Sequence, residues 1–304
     1  MQSRDSDLDE FFAHEIQSYP PSLSILGKLR LSSNKSDLLD CLKCTLTADP
    51  PATFDCKVMD GAVVVHSLPT KAVCTFNQYA DEVFIPHLEN QLQTTFRLDV
   101  VWDDYTVDSL KESTRKNEDQ EYAKKVAGDA KLPVKWMEFL RDPKNKTELF
   151  TFLTLKIENF AWPASKCVHA TRGEAVVSIG GTSPMGHCNH EEADTRIVVH
   201  LVHALQHGAK SVQVTTIDTD VVVILVVVFH DLLTAYPFAD IWIAFGMGKH
   251  FQFFHLNDIC ASLGVRKPKA LPFSHAFSGC DTTSAFFGKG KTAWQAWQAY
   301  SDAT

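Results

Sequence analysis

Two pairs of carboxylates, each pair one residue apart, carry the chemistry most readily seen in this chain: Glu192 with Asp194, and Asp218 with Asp220. Between them Ile197, Leu201, Val202 and Leu205 recur at helical spacing, which puts Glu192 and Asp194 in the first turn of a predicted helix. His207-Gly208 breaks that helix, Ser211 to Ile217 reads as a β-branched strand, and Asp218 and Asp220 follow at its carboxyl end. Ligands of open α/β sheets bind outside the carboxyl ends of the strands. Four carboxylates gathered there repel one another unless cations lie between them, and hard divalent cations with oxygen ligands are the expected solution. Taken singly, each pair also has a plain structural role. An acid in the first helical turn suits the macrodipole, and Asp after a strand is ordinary turn chemistry.

The elements that must position these groups follow from the rest of the chain. Its 304 residues, 45% of them hydrophobic, suffice for one large α/β domain or two smaller ones. A net charge of −8 argues against a strongly basic nucleic-acid binder, although a carboxylate-lined metal site contributes charge that its ions offset. The polar opening MQSRDSDLDE lacks the apolar core of a secretory signal. Val221 to Phe229 is too short to span a membrane and is expected as a buried central strand. Eight cysteines without framework spacing suit a reducing compartment, so a soluble intracellular protein is expected, with a nuclear location open.

Residues 1–55 read as an N-terminal extension, with short helices at Phe11 to Ile16 and Leu38 to Leu46. Lys57 to Ser67 is expected as the first strand of the domain, interrupted by Asp60-Gly61; a carboxylate in a buried strand must be paired or metal-bound. A helix over Ala72 to Leu92 and a strand over Arg97 to Trp102, ending in Asp103-Asp104, complete a parallel strand–helix–strand unit. From Asp104 to about Asn145, Lys111, Arg115 and Lys116 stand among acids on a weakly amphipathic helix, either a solvated insertion or a cationic cover for phosphates. Thr147 to Phe160 is a further helix and Glu174 to Ile179 a strand. Ile241 to Phe245 and His250 to Phe254 form a hairpin, and Asp258 to Leu263 is a short helix. Asp281 follows Gly279-Cys280, where a tight turn aims a carboxylate. Gly288-Lys289-Gly290-Lys291 opens a helix with free N–H groups and cations for a phosphate. Cys41 with Cys44, and His187, Cys188 and His190, are incomplete zinc patterns; for the second, orienting the acidic helix is the alternative.

MDG at 59–61, VVWDDYTVDSLK at 100–111, EEAD at 191–194, IDTD at 217–220, GCD at 279–281 and FGKGK at 287–291 resemble, in order, the motifs of the flap endonuclease/XPG group of 5′ nucleases, within the PIN-like fold. The resemblance covers roughly residues 56–300. It implies a doubly wound, mostly parallel α/β domain over 56–304, with a helical insertion at about 104–170 and a truncated helix–hairpin–helix at about 282–304. It also implies two Mg²⁺ or Mn²⁺ ions, one near Asp60, Asp103, Glu192 and Asp194, the other near Asp194, Asp218, Asp220 and Asp281. Lys111 resembles the basic gateway residue that polarises the scissile phosphate. Glu118 stands at the spacing of the second basic residue, so Arg115 or Lys116 must substitute for it. Lys116, Lys289 and Lys291 are the implied nucleic-acid contacts. The implied activity is structure-specific phosphodiester hydrolysis on DNA, or RNA, with no membrane partner. CNHEEADTR together with HAFSGCDTTSAFFGKGK also resembles a group of mobile-element-derived animal proteins, under which the chain is part of a longer one and need not retain activity. The alternatives are a catalytically inactive PIN-like module binding nucleic acid or protein, and a zinc-binding interaction module.

Overall fold

The computed structural model describes residues 22–25, 28–30, 37–44, 47–104, 126–181, 184–280 and 283–287. The chain forms two compact units, Met1–Lys43 with Arg266–Thr304, and Cys44–Val265. The described part of the first contains a two-stranded antiparallel ribbon, β1 (Ser24–Ile25) and β2 (Lys28–Leu29), and helix α1 (Asp37–Leu42), together with a helix near the other end of the chain.

The second unit is built on seven strands: β3 (Phe54–Asp60), β4 (Thr95–Val101), β5 (Cys167–Arg172), β6 (Ala175–Ile179), β7 (Ser211–Thr216), β8 (Asp240–Phe245) and β9 (Gln252–His255). They lie in the order β6-β5-β4-β3-β7-β8-β9. The five inner strands are parallel, and β6 and β9 close the edges antiparallel. From β3 the chain moves outward through β4 and β5, then crosses to β7 on the other side of β3. The α/β sheet is therefore doubly wound, with its switch point between β3 and β7.

Several elements depart from the sequence expectation, each for a physical reason. The expected strand Lys57 to Ser67 is half strand and half helix. Asp60 accepts a hydrogen bond from the Val63 N–H at 3.2 Å, capping helix α2 (Gly61–Ser67), whose valines are buried. Burial against the core outweighs the β-propensity of Val63, Val64 and Val65. Gly61 is demanded by packing: a Cβ there would lie 2.2 Å from Trp102 Cε3. The Trp102 ring is held by Phe150 at 4.4 Å and Phe84 at 6.1 Å, and its N–H donates to Thr154 Oγ1 at 2.9 Å. With the ring unable to yield, Gly61→Ala should lower stability by about 1–3 kcal/mol. A urea midpoint unchanged by the substitution would refute this.

The helix expected at Ala72 to Leu92 starts instead at Phe76, after a capping box between Thr75 and Gln78, and changes pitch: α3 (Phe76–Gln78), a π-helical turn (Tyr79–Phe84), then α4 (Ile85–Leu92). Strand β5, which straddles the end of the expected helical insertion, pairs parallel with β4. Helices α5 (Trp136–Phe139) and α6 (Pro143–Asn159) are packed into the core on one face of the sheet, α6 against β5 and β6. Trp136, Phe139, Leu149, Leu153 and Ile157 join the same core as Leu98, Val100 and Trp102 of the β4 segment. Helix α7 (Ala193–Gln206) covers the opposite face, against β3, β4 and β7.

The apolar run Val221 to Phe229 is a helix, not a central strand. It lies within α8 (Thr219–Ala235), buried along most of its length and packed between α7 and α9 (Leu256–Leu263). Continuous apolarity alone does not separate a buried strand from a buried helix; here Asp218 caps the segment and its length is helical. Among the described residues no helix is long and apolar enough to cross a membrane.

Candidate metal centre

Asp60 ends β3, Asp103 follows β4 by two residues and Asp218 follows β7 by two. These three neighbouring parallel strands flank the switch point, so each delivers a carboxylate to the same carboxyl edge. Local bonding explains their poses. Asp218 Oδ1 accepts from the Asp220 N–H at 2.9 Å and caps α8, which sets Asp220 in its first turn. Asp103 Oδ1 accepts from the Ala193 N–H at 2.8 Å, and the Asp104 N–H donates to the Glu191 carbonyl at 2.8 Å. The end of β4 is thereby stitched to the start of α7, where Glu192 is the cap residue and Asp194 stands in the first turn.

One carboxylate oxygen each from Asp194, Asp218 and Asp220 lies within 4.8 Å of the other two. Three hard oxygen donors so close together can hold a metal ion. The surrounding electrostatics point the same way. Burial, then the Asp218, Asp103, Asp60 and Glu192 carboxylates, push Asp194 up to about 8. Burial, then Asp103 and more weakly Asp218, push Asp60 up to about 7 against the pull of backbone N–H groups. Two carboxyls therefore hold protons near neutrality, because they are buried and because like charge surrounds them.

The expected residues divide cleanly. Asp60, Asp103, Glu192, Asp194, Asp218 and Asp220 are brought to one edge of the sheet. Asp281, Lys111, Arg115, Lys116, Lys289 and Lys291 lie outside the described residues. Among the described residues His187, Cys188 and His190 form no metal-holding group, and neither do Cys41 and Cys44. The first of these segments instead orients α7, through a residue the sequence reading did not single out. Arg196 is 1% exposed and donates to the His190, Gly173 and Cys188 carbonyls and to Asp104 Oδ2. One guanidinium thus ties together the β5–β6 turn, the loop entering α7 and the loop leaving β4. Arg196→Met should cost about 3 kcal/mol, since it strands buried acceptors and one partner of an ion pair. Chemical denaturation reads this directly, and a loss below ~1 kcal/mol would show the tie to be dispensable.

A second polar layer lies under α7, and it too went unread. Arg97 grips Asp99 through two hydrogen bonds of 2.7 and 2.5 Å, and His200 Nδ1 shares Asp99 Oδ2 at 2.7 Å. Arg97 also meets His203 Nδ1 at 2.8 Å. Burial alone would raise Asp99; the Arg97 and His200 bonds hold it well below the usual carboxylate range. The signal was present as alternation, since Arg97 and Asp99 share one strand face while His200 and His203 share one helix face.

No protein-family model, curated protein or solved structure matches the chain.

Proposed function

We propose that this chain is a divalent-metal-dependent phosphodiesterase acting on DNA, or RNA, with a PIN-like domain and Mg²⁺ or Mn²⁺ at the acidic edge. The observation that carries the reading is the convergence of Asp60, Asp103, Asp194, Asp218 and Asp220 from separate segments at a sheet switch point, with three carboxylates close enough for one ion. A structural role for each acid singly does not account for this. Caps and turns need one carboxylate each, and burying several together costs stability.

Bound there, a pair of such ions supplies Lewis-acid charge at a phosphate and a hydroxide nucleophile near neutral pH. The chain's own part is to hold and orient the oxygens. Asp218 and Asp220 are locked by the α8 cap, Asp194 by the α7 start, and Asp103 by its bond to Ala193. Asp60 and Asp194 must give up protons to serve as ligands. The order of motifs resembling the flap endonuclease/XPG group supports a nucleic-acid phosphodiester as substrate, with Lys111 and Arg115 or Lys116 as the phosphate-facing cations.

The test is incubation of labelled single-stranded, duplex and flap substrates with Mn²⁺, beside an Asp220→Ala control. Cleavage lost in the control supports the reading. Binding without cleavage by the wild type, with either Mg²⁺ or Mn²⁺, would make the chain an inactive binding module.

A further inference from the structure

The smaller unit carries a feature that the acidic centre does not use. In its helix α10 (Lys267–Ser278), Lys269, Phe273 and Phe277 recur every fourth residue and so form one stripe, with Arg266 at the helix entry. Pro268, Leu271 and His275 are the buried positions of this helix, so the stripe is not its packing face. Phe273 is 74% and Phe277 45% exposed. Their rings stack at 6.0 Å and 21°, and Phe277 continues onto Phe286 at 4.8 Å. The adjoining Phe287, 71% exposed, lies beneath the Arg30 guanidinium, 4.6 Å from the ring centroid. A single exposed phenylalanine needs no explanation, but a contiguous run of ring contacts does.

Charge decides which partner fits. No acidic residue occurs between Arg266 and Cys280, although the chain as a whole carries −8. Exposed planar faces bordered by cations match one chemistry well. Bases stack on the phenyl faces while a phosphate meets the exposed Lys269 head in the same stripe. A duplex hides the faces of its bases, so the fit is to a single strand. We propose that the Phe273–Phe277 stripe, with Lys269, is a docking surface for single-stranded nucleic acid. It holds whether or not the acidic centre cleaves anything.

The test uses the 304-residue chain in EDTA, with fluorescence anisotropy of a labelled oligo-dT of about twenty nucleotides, an abasic strand of equal length and a duplex. The oligo-dT should bind about fivefold to a hundredfold tighter than the abasic strand, the range one stacked base provides. Phe273→Ala with Phe277→Ala should erase that difference, while Lys269→Glu should weaken both strands. Phe273→Trp keeps a ring at the position, so its fluorescence should be quenched on adding oligo-dT. Equal affinity for dT and abasic strands, or an alanine pair that binds dT as the wild type does, would overturn the proposal. So would a concentration-dependent dimer lost in the alanine pair without any strand binding, which would make the stripe a contact between copies. Asp218→Asn should bind oligo-dT normally, so failure here and failure of the metal reading are separable.

Discussion

Asp218→Asn should raise the melting temperature of the metal-free protein and remove the stabilisation by Mg²⁺ or Mn²⁺ that the proposed metal centre requires. Asparagine caps a helix as well as aspartate does, so the bond to the Asp220 N–H that starts α8 survives the substitution. What disappears is one negative charge beside Asp194 and Asp60, for both of which Asp218 is among the groups raising the carboxyl. Relief of that repulsion appears as added stability, at about 2–4 °C per kcal/mol for a chain of 150–250 residues and less for a longer one. With metal the sign reverses. The wild type should gain stability by mass action as it binds the ion, while the variant, short of one of three clustered oxygen donors, should not. Turnover on any phosphodiester substrate should fall about a thousandfold, the scale of losing one group aimed at developing charge. Thermal melts of both proteins with and without 5–10 mM Mg²⁺, about the range used to saturate weak carboxylate sites, decide the matter. Equal shifts for the two would show that Asp218 holds no metal.

The second large effect is on pH. Asp60 and Asp194 have carboxyls at about 7 and about 8 in the folded chain, against an ordinary value of 3.8. The native state therefore keeps protons that the unfolded chain has already released, so the metal-free fold loses stability as pH rises from about 4 through 7–8. Metal binding runs the other way, because ligand carboxylates must be ionised. Below about pH 7 each ion that binds displaces protons, and the apparent affinity rises about tenfold per pH unit for each proton displaced. Metal-induced stabilisation should be slight at about pH 5.5 and large at about pH 8.5. Calorimetry in buffers of different ionisation heats counts the protons released. Metal affinity flat across that range would mean that Asp60 and Asp194 are not ligands.

These two effects arise from residues whose types and spacing were legible, and whose gathering at the carboxyl ends of the strands was expected, but whose burial was not. The amphipathic spacing of Ile197, Leu201 and Leu205 made α7 readable, and Asp194 with it, because helical periodicity is a local property. Strand β7, the Asp218–Asp220 pair after it and the β8–β9 hairpin were readable for the same reason. Local signals failed where burial was total. A run of valines and leucines on all sides of α8 has no polar face from which to take a period. Gly61 to Ser67 was misread because a helix cap and a buried core outweigh β-branched propensity, and neither shows in composition.

By itself the sequence determined the acidic residues, their chain order, the α/β class and the parallel strand–helix–strand unit that places Asp103 just past a strand end; that Asp60 also ends its strand was settled by the helix cap the structure shows. Only the tertiary structure decided that β3 lies between β4 and β7, which makes Asp60, Asp103 and Asp218 neighbours. It also decided that Arg196 binds the carbonyls behind the acidic helix and that Asp60 and Asp194 are buried among like charges. The physical reason is range. Caps, turns and amphipathic periods are set by residues a few positions apart, whereas strand order and burial are set by contacts across a hundred or more residues, whose partners no local pattern names.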